Sequence, residues 1–224
     1  MKEEEIRSTM DVDPKQYELI KINGKDSHNI VLSYLIHGCF KDTVESLVAS
    51  TGLKVSAAQL EDMEKRKRIS HFALNGNALG AIQLTEQMSP DLLENDKGLL
   101  FDLLSLRFVE LISSKECTEA LEFAQAKLTP FGKMQDHVEK LEDFMALLAY
   151  EEPEKSPVFH LLSLDYRHHV ADKLNRAILA HSHMPSYSEL ERIIRQATVV
   201  RQCLSGELGK DTVSAFSLKD FLKN

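Results

Sequence analysis

From Ser27 onward, apolar residues recur at intervals of three and four, the signature of helices with one covered face. Ile30, Val31, Tyr34 and Leu35 define a first helix that stops at Gly38, and Val44, Leu47 and Val48 define a second, Lys41 to Ser50, closed by Gly52. Helix resumes from Ala57 to Leu74 with Met63, Ile69, Phe72 and Ala73. Asn75-Gly76-Asn77 breaks it, and Ala78 to Met88 follows. Ser89-Pro90 has the form of an N-cap with proline at the first helical position, and Asn95 to Lys97 makes another break. Five further helices are predicted at about Gly98–Ser113, Lys115–Lys127, Met134–Tyr150, Leu164–His183 and Ser188–Ser205. A short turn of helix starts at Ser156-Pro157. No stretch alternates apolar and polar residues between hairpin dipeptides, so the predicted fold is all-α, an array of antiparallel helical hairpins.

Two elements stand out. The first helix pair is only about three turns per helix, too small to bury both of its apolar stripes alone, so it needs another chain or the rest of this one. The segment Gly98–Ser113 is apolar on nearly every side, with Leu99, Leu103, Leu106, Phe108 and Leu111 among its residues. Such a helix is covered all round, by its own domain or by a partner, and periodicity does not separate these two readings. Residues 1–24 lack helical period and read as a mobile arm in which Tyr17 to Ile20 is the one apolar patch suited to docking. Residues 206–224 read as a C-terminal tail.

Charge narrows the partners. With 27 Lys+Arg against 35 Asp+Glu, the 224-residue chain carries −8 at neutral pH. It lacks the extended basic face that sequence-independent nucleic-acid binding requires. The longest purely apolar run, Phe144 to Tyr150, is far short of a membrane span. The start Met1-Lys2-Glu3-Glu4-Glu5 has no apolar leader core, and Cys39, Cys117 and Cys203 are three widely spaced cysteines. The expectation is a reduced cytoplasmic or nuclear protein with free thiols.

Catalytic and metal-binding patterns are sparse. There is no G-x-S-x-G, P-loop, G-x-G-x-x-G or H-E-x-x-H, and no C-x₂-C. His37 and Cys39 are two residues apart, which suggests a buried thiol beside a surface imidazole rather than a nucleophile and its base. His168-His169, His181-x-His183 and the pair Asp165/His169 read as a solvated face rather than metal ligands. No cofactor is expected. Lys65-Arg66-Lys67-Arg68 is the one basic cluster. It reads either as a helix face balanced by Glu61, Asp62 and Glu64 at i, i+4 spacing, or as a nuclear-import signal.

The stretch from Asn29 through Tyr34-Leu35, His37-Gly38-Cys39-Phe40 and Thr43-Val44-Glu45-Ser46-Leu47 resembles a LisH motif. Cys39-Phe40 stands where Gly-Tyr is commoner, and Val44 where Ala is usual. Arg66 to Ile69, Gly76-Asn77, Ala81-Ile82, Leu99 to Leu103 and Phe108 to Ile112 resemble a CTLH motif. Ala120 to Ala124, Leu141 to Tyr150 and Val170 to Asn175 resemble a CRA domain. The ordered triple implies LisH at 25–57, CTLH at 63–120 and CRA at 117–205, in a family of non-catalytic scaffold subunits of the GID/CTLH ubiquitin ligase.

That resemblance implies a LisH dimerisation surface carrying Ile30, Val31, Tyr34, Leu35, Phe40, Val44 and Leu47, supported by the last CRA helices. It implies a separate CTLH/CRA contact. The expected partners are SPRY-bearing and RING-bearing paralogues and an armadillo-type subunit, or a second copy through LisH, with no nucleic acid and no membrane. A competing expectation is a LisH-dependent adaptor in signalling or cytoskeletal regulation outside any ligase.

Overall fold

A computed structural model describes Lys21 and residues 23–208, with ten α-helices and no strand among them. They are α1 Gly24–His37, α2 Lys41–Thr51, α3 Ala57–Leu74, α4 Ala78–Met88, the single turn α5 Leu92–Asn95, α6 Lys97–Ser113, α7 Cys117–Phe123, α8 Gln135–Ala146, α9 Leu164–His181 and α10 Glu189–Leu208. The arm expected over 1–24 lies almost wholly outside the described residues. So does the expected tail beyond Leu208, while 206–208 belong to α10.

Side-chain caps set several of the helix starts. Asn23, Asn77, Asp96 and Ser163 each accept an N–H from the first turn, and Ser56 with Gln59 closes a capping box ahead of α3. Gly52 ends α2 in the left-handed conformation, at φ 70°. Ser89-Pro90 does not open a helix. Ser89 caps the end of α4, Asp91 turns the chain at φ 66°, and α5 begins only at Leu92. Ser156-Pro157 forms the bend before a 3₁₀ turn at Phe159–Leu162, with the Ser156 hydroxyl accepting the Val158 N–H. The helix expected over 115–127 loosens into a π turn at Ala124–Leu128 and then a 3₁₀ turn at Thr129–Lys133.

The apolar residues collect in three clusters. α6 lies between the two larger ones. Leu99, Leu103 and Leu106 face Ile69, Leu174 and Ile178 of α3 and α9. On its other flank Phe101 and Phe108 face Leu128, Phe144 and Leu147. This double burial is why α6 is apolar all round. All five residues singled out on it are at most 4% exposed, so they form core rather than partner surface. The third cluster joins Leu32 of α1 and Val44 of α2 to Met63 of α3. The first helix pair thus covers part of its stripes on the rest of the chain. α3 also packs along α9, so the segments assigned to CTLH and CRA interleave in space.

Candidate functional site

What the α1–α2 pair leaves uncovered is an apolar face. Val31, Tyr34 and Phe40 are 45%, 43% and 47% exposed. The Tyr34 and Phe40 rings stack with centroids 6.2 Å apart and an interplanar angle of 29°. Ile30, Leu35 and Leu47 are half-buried, and Val44 is fully buried in the Leu32–Met63 cluster. The seven residues named from the sequence therefore divide: three face solvent, three sit at the boundary, and Val44 holds the pair to its own chain.

The turn between α1 and α2 is shaped by two residues in an unexpected division of labour. Gly38 does not use its conformational freedom, since its φ is −79°. A Cβ there would lie 2.4 Å from the Phe40 ring, so the glycine makes room for the aromatic. The left-handed residue is Cys39, at φ 59°, the position where a glycine is commoner in LisH motifs.

Beneath this turn lies Arg66, 1% exposed. Its guanidinium donates from Nη1 to Asn175 Oδ1 at 2.8 Å and to Cys39 Sγ at 3.0 Å, and from Nη2 to the Ile36 carbonyl at 3.2 Å. Its Nε meets Asp62 Oδ2 at 2.7 Å, one helical turn back. Asn175 Nδ2 in turn donates to the His37 carbonyl at 3.0 Å. The carbonyls left open at the end of α1 are thus satisfied by side chains from α3 and α9. A rigid planar fork with several donors suits that task better than an ammonium.

This placement splits the basic cluster. Lys65 pairs with Glu61 at 2.8 Å, and Lys65, Lys67 and Arg68 are exposed, whereas Arg66 is enclosed. In the folded chain three of the four residues face solvent.

α10 supports the outer side of α1. The Glu189 N–H donates to Ser33 Oγ at 3.0 Å, and His37 Nε2 donates to the Ser186 carbonyl at 3.0 Å. His37 is therefore not the surface imidazole expected beside the thiol, for its side chain is only 11% exposed. Ser188 and Glu191 bond reciprocally, and Glu191 also takes Arg176 at 3.0 Å. The Tyr187 ring lies between the Arg176 and Arg195 guanidinium groups, 4.4 and 3.9 Å from its centroid. Sequence reasoning missed Tyr187, Glu191 and Asn175. Only Ser188-x-x-Glu191 carried a readable signal, the capping-box spacing.

Titratable groups elsewhere serve packing. Burial pushes the Cys39 thiol up, partly offset by the Arg66 charge. Asp102 on α6, 6% exposed, takes Lys173 at 2.6 Å and Lys140 at 3.7 Å. Burial, and then the Asp102 charge, raise the Tyr166 phenol above its usual range. Among the described residues, no three or more His, Cys, Asp or Glu side chains gather as metal ligands, and no helix is long and apolar enough to cross a membrane.

Residues 62–205 match the family model described as the CTLH/CRA C-terminal to LisH motif domain. The chain is 29% identical over 189 residues to a glucose-induced degradation protein 8 homolog of Nematostella vectensis, covering 84% of each chain. It is 31% identical to a Protein GID8 homolog of Arabidopsis thaliana over 74% of this chain and 68% of the relative. It is 25% identical to GID complex subunit 8 of Schizosaccharomyces pombe over 80% of this chain and 79% of the relative.

Proposed function

Because this chain belongs to the CTLH/CRA family, whose domain lies C-terminal to a LisH motif, we propose that it is a non-catalytic scaffold subunit of a GID/CTLH-type ubiquitin ligase. It joins RING-bearing subunits to a SPRY-bearing subunit and an armadillo-type arm in the cytoplasm and nucleus. The observation that carries this reading is the exposed face of Val31, Tyr34 and Phe40 on a helix pair held rigidly from behind. A chain of this size leaves scattered apolar residues exposed, but a contiguous aromatic and β-branched patch marks an interaction site. α10 packs beside α1 and carries Ile193, Val199 and Val200, each at least 45% exposed, so the uncovered surface extends along a second element.

The scaffold reading also suits what chemistry the chain holds. Its buried thiol is a hydrogen-bond acceptor for Arg66, and burial works against the thiolate a nucleophile needs. The buried Asp102 is tied across helices to Lys173, and the buried Arg66 to Asp62 on its own helix.

Val31→Asp with Tyr34→Asp tests this directly. The tagged full chain carrying both changes should keep the wild-type circular dichroism spectrum, because both positions face solvent. It should lose LisH-dependent partners on co-purification from cells, with a matching fall in assembly mass. Unchanged assembly in the double variant would remove the LisH contact from the account. Recovery of stoichiometric partners without any RING subunit would favour an adaptor outside a ligase.

A further inference from the structure

Between the α1–α2 turn, α3 and α9 lies a cleft of about 350 Å³ whose lining carries more basic than acidic side chains. α3 contributes Lys67, Ser70 and His71, and α9 contributes His168. Lys67, His71 and His168 are exposed, and their side chains make no ion pair or hydrogen bond among the described residues. The cleft's one carboxylate, Asp172, pairs with Arg176 at 2.8 Å, a guanidinium it shares with Glu191. Behind the wall, Arg66 is neutralised by Asp62 and spent on the end of α1. His37, at the cleft's edge, is turned toward Ser186 and Glu191. An ammonium, a hydroxyl and two imidazoles thus line one space and outnumber its single, paired carboxylate. This lies in a chain that is acidic overall.

We propose that this cleft is an oxyanion site that takes a tetrahedral phosphate group. Lys67 supplies the charge, Ser70 a hydroxyl donor, and His71 and His168 ring N–H donors. The cleft borders Cys39 and the Phe40 end of the exposed apolar face, so a phosphate on a peptide docked there and the free ion are the two sources the test separates. This inference stands apart from ligase membership, since it concerns only groups of this chain.

The test is titration of the full-length chain, following the imidazole Cε1–H resonances of His71 and His168 by NMR and heats by calorimetry. Inorganic sulfate is the first probe, and its binding should move both imidazole resonances. Lys67→Ala should weaken it about tenfold, the usual loss for a hydrogen bond to a charged group. His71→Gln with His168→Gln should weaken it by a similar factor. Circular dichroism should be unchanged in both variants, since all three residues face solvent. A phosphoserine peptide that binds more tightly than both inorganic phosphate and its unphosphorylated form identifies a peptide-borne group. Equal binding of peptide and free phosphate identifies the free anion. Unmoved His71 and His168 resonances in the wild-type chain, or binding indifferent to all three substitutions, overturns the proposal.

Discussion

Arg66 Nη1 lies 2.8 Å from Asn175 Oδ1, and this contact locks α3 to α9 at the point where both meet the end of α1. The two residues are 109 positions apart, and each also bonds a carbonyl at the end of α1. The uncovered face of the first helix pair therefore rests on a polar joint that ties α1, α3 and α9 together.

Arg66→Ala should cost about 3 kcal/mol in urea unfolding, because it leaves buried carbonyls and the Asn175 amide oxygen unpaired. Arg66→Lys should recover little of this, since a single ammonium does not reproduce three directed donors. A loss under about 0.5 kcal/mol, typical of an exposed substitution, would contradict the joint.

Phe108 is fully buried against Phe144, with ring centroids 6.4 Å apart. Phe108→Ala should destabilise the chain by about 3–5 kcal/mol, and Phe108→Asp or Leu106→Asp should unfold it rather than free a partner. Melting curves beside a pull-down separate these outcomes. A folded Phe108→Asp protein that has lost one partner would return α6 to the surface.

The thiols should divide by burial. Cys117 and Cys203 are exposed and Cys39 is enclosed. Under native conditions two cysteines should react quickly with a thiol probe and the third only on unfolding, as seen by intact mass. Fast labelling of Cys39 would place it outside the Arg66 joint.

Tyr166 gives a pH signature at the alkaline end. Its folded-state pKa is raised by burial and by Asp102, so above the unfolded value of about 10 the unfolded chain releases a proton that the folded chain retains. The contribution is present below that pH and lost as pH rises through and beyond it. The melting temperature should fall above about pH 10, and Tyr166→Phe should flatten this fall by removing the group. Identical alkaline slopes for the two proteins would remove Tyr166 as its source.

Much of the fold was legible because its signals are local. Leu99 to Ile112 announced a covered helix, and Gly52 and Asn75-Gly76-Asn77 announced its neighbours' ends. The LisH, CTLH and CRA resemblance followed from short quoted runs. The exposed Tyr34 and Phe40 were also within reach, as apolar residues on a pair of helices too small to bury them. Arg66 was not, because in the sequence it is one of four consecutive cations, and only contact with residues 36, 39 and 175 distinguishes it. Ser89-Pro90 misled for a related reason: a serine before a proline fits an N-cap and a turn equally well, and Asp91 decided for the turn.

The order of side chains along the chain determined the helices, their breaks and the family, since capping, glycine geometry and apolar period act within a few residues. Tertiary structure alone decided that Val44 faces inward while Val31 faces out, that Arg66 is an anchor rather than a surface charge, and that His71 and His168 share a cleft with Lys67. Each depends on which distant helix lies alongside, and water is excluded only where helices far apart in the chain meet.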